Sequence, residues 1–350
     1  MADDDKDTEE VADDLPKQTE DRDEELCNDE DIRRECLKIY KDVEKGFSDQ
    51  WERANSQMDY WDIYHCQLGP KQFYSGNSKI FVPIVHDAVN ARKTRFVNQI
   101  FPQSGKHIEV TASEDKPQAL MSLLEFYIRK ARLRTNVMPG LVRNGDVEGQ
   151  YNVYLRWVRN KRHVAMRVRK QRTMDGMVPI PGDDFEDIVE QEITHQYPVV
   201  EVIPDADVLV LPFVSDSIEG ALDDGGSVTI LRRWSKAKIR SMIRNGEIDQ
   251  DEGETLLEEM GGKQQDNTNK KKNVAEAAGV KMGSNAKTTA HVFETWARVK
   301  KDGELRLMRM YLGGPEQLIG CKLCPYWCDK VPFLSAPVEK IEGSFKGVSK

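Results

Sequence analysis

Residues 117–157, PQALMSLLEFYIRKARLRTNVMPGLVRNGDVEGQYNVYLRW, hold the change of period that decides the fold. Leu120, Leu123, Leu124, Tyr127, Ile128 and Ala131 fall on one face at a spacing of 3.6, behind a proline at 117 whose fixed φ suits a first helical turn. A second helix is predicted from about Val137 to Gly149, where glycine supplies a left-handed cap. The period then drops to two, with Tyr151, Val153, Leu155 and Trp157 alternating with polar partners. Helices lead and strands follow, so the class is α+β.

Upstream, Leu37, Tyr40, Phe47, Trp51, Ala54, Met58, Trp61 and Leu68 recur at helical spacings, with Glu44 and His65 filling two gaps. The pattern predicts one long helix ended by Gly69-Pro70, followed by a polar loop over 69–79. Its aromatic content suits stacking on a ligand, but a bulky stripe at this spacing is first of all a packing face, and all eight anchors are expected in the core. After Pro83 a further helix carries Val85, Ala88, Val89, Phe96 and Ile100, with Arg92, Lys93 and Arg95 nearer its other side, and a short strand is expected over 107–110. Residues 1–31 hold 16 acids and 3 bases, so a chain of net charge −9 carries about +4 outside this stretch. So acidic and aromatic-poor a segment cannot offset its chain entropy, and a disordered tail is expected.

Downstream, Val164, Met166 and Val168 alternate again after Arg159-Asn160-Lys161, which reads as a β-hairpin turning at 159–161. Residues 156–172 contain eight bases (Arg156, Arg159, Lys161, Arg162, Arg167, Arg169, Lys170, Arg172) and no acid; residues 175–192 contain seven acids and no base. A strand pair is expected at 198–202 and 208–211, then a strand at 228–231 and a helix from Ser235. Residues 246–290 lose periodicity and hold a Gly/Gln/Asn/Lys-rich run, the best internal boundary. Alternation returns at His291–Val299, with a turn at Asp302-Gly303 and a strand to Leu312. The expected organisation is thus an acidic tail (1–31), a helical part (32–149), a mixed α/β region with the basic hairpin (150–245), a mobile linker (246–290) and a strand-rich segment (291–350).

The 350 residues are 39% hydrophobic and 32% charged, with 6 Trp, 10 Tyr and 11 Phe, enough for a sizeable core plus polar segments outside it. No apolar run approaches the roughly 18 residues that cross a bilayer, and the N-terminus lacks a signal peptide's basic flank, so no membrane partner and a cytoplasmic origin are expected. Six cysteines do not make a disulfide framework, and reduced thiols are the default. The chain stops without a breaker at Gly343–Lys350, which suggests the front part of a longer protein.

Chemistry is sparse. There is no phosphate-cradling Gly-Lys-Ser/Thr loop, no G-x-G-x-x-G after a strand, no H-E-x-x-H and no G-x-S-x-G, so no catalytic residue and no cofactor is assigned. Pro204-Asp205 invites comparison with restriction-type nucleases, but no acid-x-Lys strand follows, and Asp205 and Asp207 read as turn residues. Cys321, Cys324 and Cys328 have the spacing of zinc ligands but lack a fourth, against which stands a tight turn of reduced thiols. The basic residues could neutralise phosphates, with Trp157 the one interleaved aromatic; the adjacent acids suit pairing within a subunit or across an interface equally.

The order of these segments resembles the portal, or head-to-tail connector, proteins of short-tailed bacteriophages. The helix containing Phe47–Ala54, Met58, Trp61 and Tyr64 looks like that family's first helix, and Gln72–Gly76 like the aromatic loop after it. Val82–Val85 opening a basic helix, Asn136–Tyr154 as a helix running straight into a strand, and Val200–Ile230 before Arg232-Arg233-Trp234 are similar to the elements that follow. Glu294–Val299, Lys301-Asp302-Gly303, Val331-Pro332-Phe333 and Gly343–Gly347 resemble the strand-rich segment before the pore-side helices. The resemblance implies long N-terminal helices on a mixed, strand-rich wing, in a non-enzymatic ring, typically a dodecamer, at one capsid vertex of the virion. Double-stranded DNA would pass through it, with terminase, capsid or scaffolding protein and tail adaptor proteins as partners. The rival reading is a nucleic-acid-binding processing factor with a zinc-bound cysteine cluster and the basic hairpin.

Overall fold

The computed structural model describes residues 29–66, 82–101, 108–109, 117–172, 180–260, 289–301, 303–314, 317–326, 329–341 and 344–348, with the backbone alone at 159–172, 180–195 and 259. Helix α1 (Glu30–Asp49) is capped by Asp29, whose carboxylate accepts the N–H groups of Asp31 (3.0 Å) and Ile32 (3.4 Å). Glu30 and Asp31 in its first turn meet the positive end of the helix dipole. The last acids of the N-terminal stretch therefore start a helix; residues 1–28 of the expected tail lie outside the described residues. Gln50 separates α1 from α2 (Trp51–Tyr64), so the expected single helix is two segments, ending four residues before Leu68. After α3 (Ile84–Ile100) and α4 (Pro117–Lys130), one π-helical turn (Leu133–Val137) leads into α5 (Met138–Glu148). That helix stops at Gly149 (φ 86°), as the glycine cap predicts.

Five strands form an antiparallel meander: β3 (Val208–Leu211), β4 (Ser227–Ser235), β5 (Thr289–Lys301), β6 (Glu304–Gly313) and β7 (Gln317–Leu323), in that spatial order. Alternate side chains leave on opposite faces. Met310, Leu312, Leu318 and Cys321 pack with Ile32, Cys36 and Tyr40 of α1. Tyr311, Ile319 and Val292 pack with Ile239 and Met242 of α7 (Lys236–Arg244), N-capped by Ser235, and with Leu256 of α8 (Gln250–Glu259), N-capped by Asp249. The short helix α6 (Ile218–Asp223) links β3 to β4. A sheet covered by helices on both faces thus gives α+β, with the N-terminal helix as one layer.

The contact face of α1 and α2 differs from the expected stripe. Buried positions are Ile32, Cys36, Tyr40, Val43, Gly46, Gln50, Ala54, Gln57, Trp61 and Tyr64, while Trp51 is 43% exposed. Gly46 is there because α1 crosses β3 closely: a Cβ would stand 2.8 Å from Leu209 Cδ2. The contact row takes its small and polar members from packing and hydrogen bonding, so apolar spacing alone placed Trp51 on the wrong side.

Three further expectations change. The basic block does not turn at 159–161: β1 runs unbroken from Gln150 to Arg172, and its partner is β2 (Ile180–Val202), in a sheet ordered β2-β1-β8 with β8 (Phe333–Pro337). Residues 208–211 pair with β4, not with 198–202, which end β2. The expected linker contains α8, with Leu256 and Met260 buried, although its run from 261 to 288 lies outside the described residues. Ile108 and Glu109 belong to no strand, and the expected loop over 69–79 lies outside the described residues.

The chain divides into two units, one of Met1–Arg95, Gly140–Val153 and Val202–Lys350, the other of Phe96–Pro139 and Tyr154–Glu201. In the second, Tyr127 of α4 meets Trp157 of β1 edge to face at 5.6 Å, Lys130 lies over the Tyr197 ring at 5.6 Å, and Arg156 pairs with Glu201 at 2.6 Å.

Candidate functional site

In the first unit, Asp205 sits at the start of a single 3₁₀ turn (Asp205–Asp207) with no solvent exposure. Sequence reading takes it as a turn residue; the structure makes it also the hub of the core. A buried carboxylate persists as a charge only if it is paired and its lone pairs are filled. Oδ1 accepts from Lys346 Nζ (2.5 Å) and Asn152 Nδ2 (3.4 Å), and Oδ2 from Gln57 Nε2 (2.7 Å) and Arg53 Nε (3.1 Å). Its carbonyl accepts from Gln50 Nε2 (3.2 Å), and its N–H donates to Glu148 Oε2 (2.8 Å). Every polar group of the residue is engaged.

Each ligand is placed by local structure. Gln50, Arg53 and Gln57 stand on adjacent turns of α2 and the junction before it, the i, i+3, i+7 row that faces one neighbour. Glu148 closes α5, and its other oxygen accepts Trp61 Nε1 (3.0 Å). Asn152 is in β1, held through Ser335 of β8, which also accepts from Gln150 Nε2 (2.8 Å). Lys346 comes from the segment 344–348, which is tied down by Arg53 Nη2 to the Gly347 carbonyl (2.8 Å) and by the Gly347 N–H to Gln150 Oε1 (2.9 Å). Only glycine fits at 347: a Cβ would lie 2.6 Å from the Gly149 carbonyl oxygen. Beside the hub, Asp207 takes both Arg233 Nη groups at 3.0 Å in a bidentate pair.

Burial pushes the Asp205 carboxyl upward, but Lys346, Arg53 and their hydrogen bonds overcome it and hold the group below its ordinary value. Burial also lowers Lys346, against the pull of Asp205. Burial raises Glu148 to about 7 despite the Asp205 N–H and Trp61 bonds, and the Asp205 and Asp207 charges add to the rise. The unfolded chain ionises this glutamate from about pH 4.5, the folded protein only near 7, so stability falls as pH rises through that window. The shift corresponds to a loss on the order of 3 kcal/mol. Asp205 acts oppositely, adding stability above its unfolded value near 3.8 that is lost as pH falls. Thermal midpoints are therefore expected to decline from about pH 5 to about pH 8, and Glu148→Gln to flatten that decline. A variant with the parental pH slope would refute the assignment.

Of the residues singled out in the sequence, Arg156 is paired with Glu201. Arg159, Lys161, Arg162, Arg167, Arg169, Lys170 and Arg172 lie along β1, and the acidic residues from Asp183 to Glu192 lie along the neighbouring β2, so oppositely charged strands run side by side about 4.8 Å apart. Cys321 is a core residue of β7. Cys324 is half-buried past the strand end, its Sγ 3.9 Å from the carbonyls of Tyr326 and Lys330, and Cys328 lies outside the described residues. Among the described residues, no group of three His, Cys, Asp or Glu side chains is placed to hold a metal ion, and no helix is long and apolar enough to cross a membrane. The Asp205 hub escapes sequence reading because its partners lie 53 to 155 residues away, and only the buried glutamines opposite it, breaking an apolar stripe, hint at a polar contact. Compared with known proteins, the chain matches no family model and no curated protein.

Proposed function

We propose that the chain is a structural subunit of a ring at one vertex of a viral capsid, of the portal or head-to-tail connector type. Such a ring would conduct double-stranded DNA during packaging and ejection and dock terminase and tail adaptor proteins. The observation that carries this reading is apolar surface that one copy leaves uncovered. On α4, Leu120, Leu123 and Phe126 are 43%, 48% and 54% exposed, and at the start of α3 Ile84 is 69% exposed. Contiguous apolar faces of this kind in a soluble chain mark protein contacts. Supporting it, the long N-terminal helix, the helix opening after Pro83 and the helix running through Gly149 into a strand keep the order on which the resemblance rests. A buried carboxylate whose oxygens are both taken by side chains of its own chain suits a rigid frame better than turnover. Nucleic-acid binding through the basic block draws less support, since that strand lies beside an acidic one.

Negative-stain electron microscopy of the purified full chain, with native mass spectrometry for the copy number, tests the proposal. Closed rings are expected; a protein that stays monomeric at every concentration would overturn it.

A further inference from the structure

The sheet ordered β2-β1-β8 leaves two long strand edges without a strand partner among the described residues. β2 is the outer strand over all of its 23 residues. On the far side of β1 lies only β8, five residues long, which meets the start of β1 where Ser335 bonds to Gln150 and Asn152. Residues 159–172 of β1 therefore run beside β2 as a two-stranded ribbon about 46 Å long. Such a ribbon is marginal in water by itself, and each edge turns unpaired N–H and C=O groups outward at every second residue.

The two edges differ in sign. Residues 159–172 hold seven Lys or Arg and no acid, and residues 180–195 hold six acids and no Lys or Arg. Charge on an open edge ordinarily repels a second copy of the same strand. Sorting the charge by strand makes that repulsion selective: β1 rejects another β1 and β2 another β2. Placed against β2 of a second copy, the open edge of β1 brings only opposite or neutral residues together, in any register. Within one copy each strand has its opposite on one side only.

We infer that this ribbon is a joint between copies of the chain, the open edge of β1 in one copy adding to the open edge of β2 in the next. Side-by-side repetition of an antiparallel ribbon keeps every neighbour antiparallel, so the joint extends one continuous sheet of alternating sign. Two different edges meet, so the contact is heterologous and propagates in one direction, closing into a ring or continuing as a filament. The inference rests on the ring reading for closure alone and adds the surface through which copies join. Main-chain hydrogen bonds supply the affinity, and the charges choose the edge.

Exchanging the signs of the two strands in the full chain tests the joint. One variant changes every Lys and Arg of 159–172 to Glu (Arg159→Glu through Arg172→Glu) and every acid of 183–192 to Lys (Asp183→Lys through Glu192→Lys). Opposite signs still meet within its ribbon and between two copies of it, so it is expected to associate as the parent does. Between variant and parent, either joint sets like charge against like. Native mass spectrometry of the two chains co-expressed should find mixed assemblies at least about a hundredfold rarer than for the parent co-expressed with a tagged parent. Free mixing would show this joint to be wrong while leaving the ring reading in place. Free mixing with loss of DNA retention by the variant would give the basic strand to nucleic acid instead. Self-sorting into open chains that lengthen with concentration would keep the joint and overturn the ring.

Hydrogen exchange on the parent decides the case independently of how the variant folds. About half of the amides over 159–172 and 180–195 face an open edge, and these are expected to gain protection on association. Protection that rises elsewhere but not there would refute the joint. A parent that never associates overturns both readings.

Discussion

Asp205→Ala is expected to lose about 3–5 kcal/mol, a large part of the roughly 5–15 kcal/mol that holds a typical domain together. The loss does not come from one missing bond. With the carboxylate gone, Lys346, 8% exposed, keeps only the carbonyls of Asp205 and Val208 as partners, and the Gln57 and Asn152 amides lose their acceptor. An uncompensated buried charge costs more than the pair contributes when intact, so removing the second partner should help. Asp205→Ala with Lys346→Met is expected to recover at least about 1–2 kcal/mol of the loss, read from denaturant midpoints. A single-variant cost below about 1 kcal/mol would mean that the hub is not central to stability.

The second large effect separates two tryptophans on one helix. Trp61 is buried, lies 5.6 Å from the Tyr64 ring and under the Arg143 guanidinium, and donates to Glu148. Trp61→Ala should cost about 3–5 kcal/mol. Trp51, 43% exposed at the start of α2, should cost about 1 kcal/mol or less on the same change. Apolar spacing alone groups both as core anchors with equal cost. Thermal unfolding of the two variants side by side checks this, and equal destabilisation would place the helix face differently from the one described.

Element positions were largely legible because local signals fix them. Pro117, the cap at Gly149, the Ser235 N-cap and the turn at Gly303 (φ 86°) each stand where turn and cap chemistry puts them. Helix rotation was not legible, because the contact row includes Gly46, Gln50 and Gln57, chosen for close approach and for service to Asp205. Nor was the length of β1: Arg159-Asn160-Lys161 has the composition of a turn, and only the oppositely charged partner strand makes a continuous, highly charged strand tolerable. The candidate centre was invisible for a related reason. Burial makes an isolated aspartate costly, and what reverses that cost is spread over four other segments.

That spread has a kinetic consequence. The hub joins Arg53 and Gln57 near the start of the chain to Lys346 near its end, 293 residues beyond Arg53, through Asp205 midway. Contacts this distant close only after intervening loops are ordered, so the hub belongs to the late steps of folding. During synthesis, the N-terminal helices leave the ribosome long before Lys346 does. Until then, among the described residues, the Asp205 carboxylate has Arg53 as its cation, and a nascent chain halted before residue 346 would lack the Lys346 ion pair at its core. Completion of the first unit is thereby timed to the emergence of a single lysine.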